Sequence, residues 1–222
     1  MDFKYSPELK NRLRYQFKNI DRLTTNYGDL WQDMFVLSVL DGKEKGTYLE
    51  IGAAEPYWLS NTVLLEKSFS WRGISLELDH GKVDFFNRER TNPCYCGNAL
   101  VVDYYSMINR AELGDVIDYL SIDIEPPENT FAALKAIPHD KVKFRVITFE
   151  HDLYTGGQAP QVREESRKFL TDLGYHMVVN DVAATDRSVE DWYVMPELVD
   201  MSIVNVLQST KDLNNFDEYM IL

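Results

Sequence analysis

The chain has 222 residues, 45% of them hydrophobic and 27% charged, which suits one sizeable globular core. Its 36 Asp and Glu outweigh 23 Lys and Arg, for a formal net charge of -13, so a phosphate backbone meets repulsion and nucleic acid is disfavoured as a partner. No apolar run approaches the ~20 residues that span a bilayer, and "MDFKYSPELKNRLR" lacks the apolar core of a signal peptide, so residues 1–222 read as a single cytoplasmic domain.

Residues 7–23 and 28–40 read as two amphipathic helices parted by "TTNYG", the second with a strong apolar face in "GDLWQDMFVLSVL". As a unit over residues 1–42 they would either cover a site or pair two copies of the chain as a homo-oligomer. The strand-like runs "TYLEIG", "GISLELD", "ALVVDY", "DYLSIDI" and "KFRVITFE" then alternate with helical stretches near 60–69, 80–90, 104–113 and 128–137. That order implies a parallel sheet covered on both faces. After the helix "QVREESRKFLTDLG", the segments "YHMVVNDVA" and "EDWYVMPEL" flank the polar turn "ATDRSV" and read as an antiparallel hairpin. The expected fold is α/β: a seven-stranded, mostly parallel sheet with a C-terminal antiparallel hairpin and helices on both faces. Cys94 and Cys96, in "NPCYCGN", are too close for an easy disulfide and too few for a zinc site. They read as reduced thiols in a turn.

Five of these strands end in an acid: Glu50, Glu77, Asp103, Asp123 and Glu150. Open parallel sheets bind ligands beyond the carboxyl ends of their strands, and like charges gathered there repel unless a cation or hydrogen-bond donor binds. No G-x-G-x-x-G occurs, which argues against a nicotinamide dehydrogenase. The first strand gives E-x-G-x-x-E instead, from Glu50 to Glu55, suited to a cationic cofactor without phosphates. S-adenosylmethionine has that character, with a sulfonium, an ammonium and a ribose bearing two hydroxyls. Gly52 would let backbone approach it, and Glu50 would bind the ammonium directly or through water. Glu77 would accept the ribose hydroxyls, and Asp103 would either face the adenine amine or cap the following helix. Ser60 reads as a helix cap, and Asn61 as a contact to the cofactor carboxylate. The expected cofactor set is Glu50, Gly52, Ala53, Glu55, Ser60, Asn61, Glu77, Leu78 and Asp103.

The run from "GDLWQDMFVLSVL" through "GTYLEIGAAEPYWLSNTVLLEKSFSWRGISLELD", with "IDYLSIDIEPPE", "VITFEHD" and "VEDWYVMPE", resembles the FkbM-type family of S-adenosylmethionine-dependent methyltransferases. The resemblance covers about residues 28 to 198 and implies a class I methyltransferase sheet. It also implies methyl transfer to a hydroxyl of a small-molecule acceptor, commonly a sugar or a polyketide-like natural product. That family usually carries Gly after the D-x-E of the fourth strand, where this chain has Pro126 and Pro127.

Asp123 and Glu125 share one strand face. With Glu150 and His151 they form an acid and imidazole cluster suited to a divalent ion such as Mg, Mn or Fe, similar to catechol-type O-methyltransferases. The catalytic roles fall to His151, Asp123 and Glu125. A metal on Asp123, Glu150 and His151 would lower the pKa of the acceptor hydroxyl, and without one His151 would be the general base. A competing, non-catalytic reading has the fold bind a partner through Tyr57, Trp58, Trp192 and Tyr193.

Overall fold

The apolar runs of the sequence become the strands of one sheet. The computed structural model describes residues 9–23 and 25–221. Its strands are β1 (Thr47–Ile51), β2 (Arg72–Glu77), β3 (Cys94–Cys96), β4 (Val116–Ile122), β5 (Lys143–Glu150), β6 (His176–Ala184), β7 (Arg187–Val194) and β8 (Asn214–Asn215). They lie in the order β3-β2-β1-β4-β5-β7-β6-β8. β1 to β5 run parallel, and β7 lies antiparallel between β5 and β6. The expected parallel sheet and reversed hairpin are both present, and β8 adds a short eighth strand beside β6.

The helices are α1 (Leu9–Arg12), α2 (Gln32–Val39), α3 (Val63–Phe69), α4 (His80–Glu89), α5 (Tyr104–Arg110), α6 (Pro127–Ala136), α7 (Ala159–Asp172), α8 (Met201–Leu207) and α9 (Phe216–Met220). Side-chain alternation along the strands divides the core in two. On one face, Tyr48, Tyr119, Val146 and Trp192 pack with α2, α3, α8 and α9. On the other, Leu49, Leu120, Ile147 and Tyr193 pack with α5, α6 and α7. Trp192 and Tyr193 are fully buried, which removes them from the proposed partner surface: both are core residues. Among the described residues no helix is long and apolar enough to cross a membrane.

Three expected elements are placed differently. Residues 7 and 8 of the first expected helix lie outside the described residues. The remainder is only α1 and a 3-10 turn at Ile20–Arg22. Between them Leu13 bridges to Ile221, and the Arg14 amide donates to the Met220 carbonyl at 2.8 Å. Pairing with the chain's far end overrides the local helical periodicity. The second helix starts at Gln32 rather than at 28, because side chains claim the preceding amides. Asp33 Oδ2 accepts from the Tyr27 and Gly28 amides at 3.2 and 3.3 Å, and Gln32 Oε1 accepts from the Leu30 amide at 3.0 Å. Such side-chain bonds compete with regular structure. Finally, the third strand is Cys94–Cys96, paired with Ser75–Glu77, and not the expected 99–104. Asn98 folds that region into a turn: its Oδ1 accepts from Leu100 and its carbonyl from Val101 and Val102.

α2 is fastened to the sheet by Phe35, fully buried and stacked on Trp192 with ring centroids 4.5 Å apart. Phe35→Ala is expected to cost about 3–5 kcal/mol, read as a lowered denaturant midpoint. A loss near zero would show that α2 docks by other means.

Candidate active site

β1 lies at the switch in strand order, with β2 on one side and β4 on the other, where open α/β sheets place their ligands. Gly52, just past β1, has φ +91°, and a Cβ there would fall 1.7 Å from the Asp123 carbonyl oxygen. Only glycine lets the ends of β1 and β4 meet so closely. Glu77, at the end of β2, accepts the amides of Ala54, Leu78 and Asp79 at 2.8–2.9 Å. Its carboxylate thus ties together the loops after β1 and β2, with the exposed Leu78 beside it.

The other expected cofactor residues occupy varied settings. Glu50 is buried, accepting from Thr62 Oγ1 at 3.0 Å and Ser75 Oγ at 2.7 Å. Burial raises its carboxyl, against the pull of the Arg90 charge. Ala53 is buried with Val83, Phe86 and Cys94, and Glu55 is half-buried in the loop. Ser60 Oγ accepts the Thr62 and Val63 amides at the start of α3. Asn61 Nδ2 donates to Ser121 Oγ at 3.0 Å, which leaves its Oδ1 buried without a partner. Asp103 follows a turn rather than a strand. It caps α5, accepting from the Ser106 amide and hydroxyl at 3.0 and 2.7 Å.

The structure gathers Asp123, Glu125 and Glu150 as expected neighbours and adds three acids that the sequence reading missed. Asp123 and Glu150 share a hydrogen bond, and both carboxyls are raised, first by loss of hydration and then by neighbouring carboxylates. Asp123 keeps surface open to solvent, yet packed protein still strips much of its water. Asp152, the first addition, is buried with Oδ1 unpartnered. Its charge acts on Asp123, Glu125, Glu150 and Tyr154.

Glu190 is the second addition, the cross-strand partner of Glu150 on β7. Burial pushes it up to about 8, even though Trp192 Nε1 donates to it at 2.6 Å and Gln32 bonds it as well. The third is Asp29, ahead of α2, whose charge raises both Asp123 and Glu190. Carboxyls are the strongest charged neighbours acting on Asp123, Glu125, Glu150 and Glu190.

His151 is not brought to these acids. One residue beyond Glu150, it falls on the opposite face of the sheet, as strand alternation requires. Its ring is fully buried, with Nε2 3.5 Å from Asp191 Oδ1 and 3.8 Å from Asp181 Oδ1. Its Nδ1 accepts the Leu153 amide at 3.2 Å. Both nitrogens are therefore turned into the protein, away from an acceptor hydroxyl or an ion at Asp123. His151, Asp181 and Asp191 do stand close enough together to hold an ion, but their charge is already balanced. Arg163 pairs with Asp181, and Arg167 spans Asp181 at 2.8 Å and Asp191 at 2.7 Å. Burial would raise Asp191, but Arg167 and His151 hold it down at about 2. The group is a buried ion-pair network, and a divalent cation would meet two guanidinium groups there.

No protein-family model and no curated protein sequence matches the chain, whereas solved structures share its architecture. The O-methyltransferase from Bacillus cereus in complex with SAH matches with a TM-score of 0.51 and 15% identity, over 83% of this chain and 84% of that one. Fibrillarin from Aeropyrum pernix with natively bound S-adenosyl-L-methionine gives 0.51 and 16%, over 82% of each chain. A chain of a fibrillarin/Nop5p complex gives 0.54 and 16%, over 76% of this chain and 81% of that one. At such identities the likeness is one of fold, and the fold is that of class I methyltransferases.

The raised carboxyls set a pH dependence. Unfolded, Asp33 and Glu190 ionise near 4, but burial holds them protonated to about 7 and about 8 when folded. Over that interval the folded state binds more protons, so their contribution is whole below about 4 and is lost as pH rises through 7 and 8. Glu190→Gln is expected to flatten the fall in melting temperature between about pH 4 and 8. An unchanged profile would show that Glu190 does not hold its proton.

Proposed function

We propose that this class I methyltransferase fold acts as an S-adenosylmethionine-dependent O-methyltransferase of the FkbM type. Its acceptor is a hydroxyl of a small polyhydroxylated molecule, a free or nucleotide-linked sugar or a related natural product. One observation carries the reading: carboxyls from the ends of β4 and β5, from β7 and from the segment before α2 crowd together, and carboxyls are their strongest charged neighbours. Such a site favours a cation, and the methyl donor is one. A pyrophosphate cofactor would be repelled, and the chain has no glycine-rich loop to cradle it.

In the reaction, the acceptor oxygen attacks the methyl carbon as the carbon–sulfur bond breaks. The electron pair passes to sulfur, and the hydroxyl proton must leave. Glu77 and the close Gly52 backbone would seat the donor's adenosine end. The hydrogen-bonded Asp123 and Glu150 carboxyls, raised above their ordinary values by loss of hydration, would take the proton, a role that the buried His151 is badly placed to fill. Holding both reactants in line supplies the rest of the rate.

The oxygen set Asp123, Glu125, Glu150 and Asp152 also fits a hard divalent ion such as magnesium, with the orphaned Asp152 Oδ1 in the place expected of His151. A bound ion would supply Lewis acidity to the acceptor hydroxyl.

Calorimetry with S-adenosylhomocysteine is expected to show binding, and labelled methyl should pass to members of a sugar and nucleotide-sugar panel. Asp123→Asn is expected to lower kcat/KM by about 100-fold or more. Failure to bind the demethylated donor would overturn the proposal. For the ion, excess chelator is expected to abolish transfer while leaving donor binding intact, and full activity in chelator would remove the metal from the mechanism.

A further inference from the structure

The segment before α2 had two expected uses, as a cover or as a contact between subunits. Its atoms suggest a third. Three side-chain oxygens close on Gly28: a Cβ there would fall 2.9 Å from Gln32 Oε1, 3.1 Å from Asn61 Oδ1 and 3.2 Å from Asp33 Oδ1. Two of these oxygens are satisfied within the segment, by the Leu30 and Met34 amides. Asn61 Oδ1 is not, because the donor end of that amide is committed to Ser121 on β4. Asn26, only 7% exposed, likewise buries an Oδ1 with no donor. Buried acceptors left unmatched are costly and few in folded proteins. Two on and against one loop, beside a site that favours a cation, call for donors from a ligand.

The position narrows which donors. Ser121 is the Cα partner of Glu50, so Asn61 is tied to the point where β1 and β4 pair, two residues before Gly52. The same segment carries Asp29, partly open to solvent and close enough to act on Asp123 and Glu190. A hydroxyl would offer these acceptors one hydrogen and no charge. A primary ammonium offers three N–H donors and relieves the repulsion among the acids.

We infer that residues 26–33 form a wall of the donor site, with Asn26, Asn61 and Asp29 accepting from the primary ammonium of the methyl donor. This assignment rests on the methyl-donor reading above. It gives Asn61 a different contact from the cofactor carboxylate expected of it, since the free end of its amide is the acceptor. It also makes α2 part of the binding apparatus: the Phe35 stack on Trp192 holds the segment in place, and Gln32 joins it to Glu190.

The test is calorimetric, on the full chain, with two probes: S-adenosylhomocysteine and its analogue lacking the amino group. Asp29→Asn preserves shape at a partly exposed position and is expected to fold normally. It should weaken S-adenosylhomocysteine by roughly tenfold, the loss of one charge-assisted hydrogen bond. Affinity for the deaminated analogue, already weaker with the wild type, should stay within about twofold. Equal weakening of both probes would mean that Asp29 is merely structural, and no weakening of either would mean that it does not meet the ammonium. A raised KM for the hydroxyl acceptor, with donor affinity unchanged, would give the segment to the acceptor; the last three outcomes each overturn the assignment. Wild-type protein that binds neither probe would defeat the methyl-donor reading itself, and this assignment with it.

Discussion

Carboxyl groups crowded on one face of the sheet, with other carboxyls as their strongest charged neighbours, are the constraint on which the candidate site depends. The strands β5, β6 and β7 carry acids on both faces, and the two faces treat them in opposite ways. On the side of α7, Arg163 and Arg167 neutralise Asp181 and Asp191, and the carboxyls are held low. On the side of α2, loss of hydration pushes Asp123, Glu150 and Glu190 up, and their strongest charged neighbours are other carboxyls. The first arrangement is complete within the protein, whereas the second calls for a cation from outside. That contrast separates a structural ion-pair network from a candidate binding site more sharply than the number of acids does, because both groups are acidic and largely stripped of water.

Packing and electrostatics are linked through α2. Phe35 on Trp192 is an ordinary aromatic contact, worth burying for its area alone. It nevertheless fixes the distance between the segment that carries Asp29 and the strand that carries Glu190. Asp33 then curls that segment back by accepting the Tyr27 and Gly28 amides. A buried carboxyl that organises a loop, that of Asp33, and an exposed one, that of Asp29, whose charge acts on Asp123, stand four residues apart, and only their contacts tell them apart. At the centre, Gly52 lets β1 close on the Asp123 carbonyl, which brings the loop after β1 against the start of the acid group.

Much of this was legible in the sequence. Apolar strand runs alternating with helices fixed the class of sheet, the reversed hairpin and the edge where a ligand would lie. E-x-G-x-x-E, the missing glycine-rich loop and the acids at the strand ends point to a cationic cofactor without reference to the fold. Asp152 was within reach too, since alternation alone pairs it with Glu150 and sends His151 the other way. The attraction of an imidazole beside an acid hid that signal. β3 was misplaced because Leu100, Val101 and Val102 look like a strand, while the turn made by Asn98 leaves Val101 80% exposed.

Local pattern, then, determined which residues form strands, which are acidic and which glycine must be bare, because those properties depend on a few neighbours along the chain. Only the tertiary structure decided which acids share a face, which meet an arginine, and that Asp29 reaches Asp123 from ninety-four positions away. The reason is that strand order and the docking of α2 are set by burial of the whole core. A carboxylate is neutralised or left wanting by whatever that packing brings beside it.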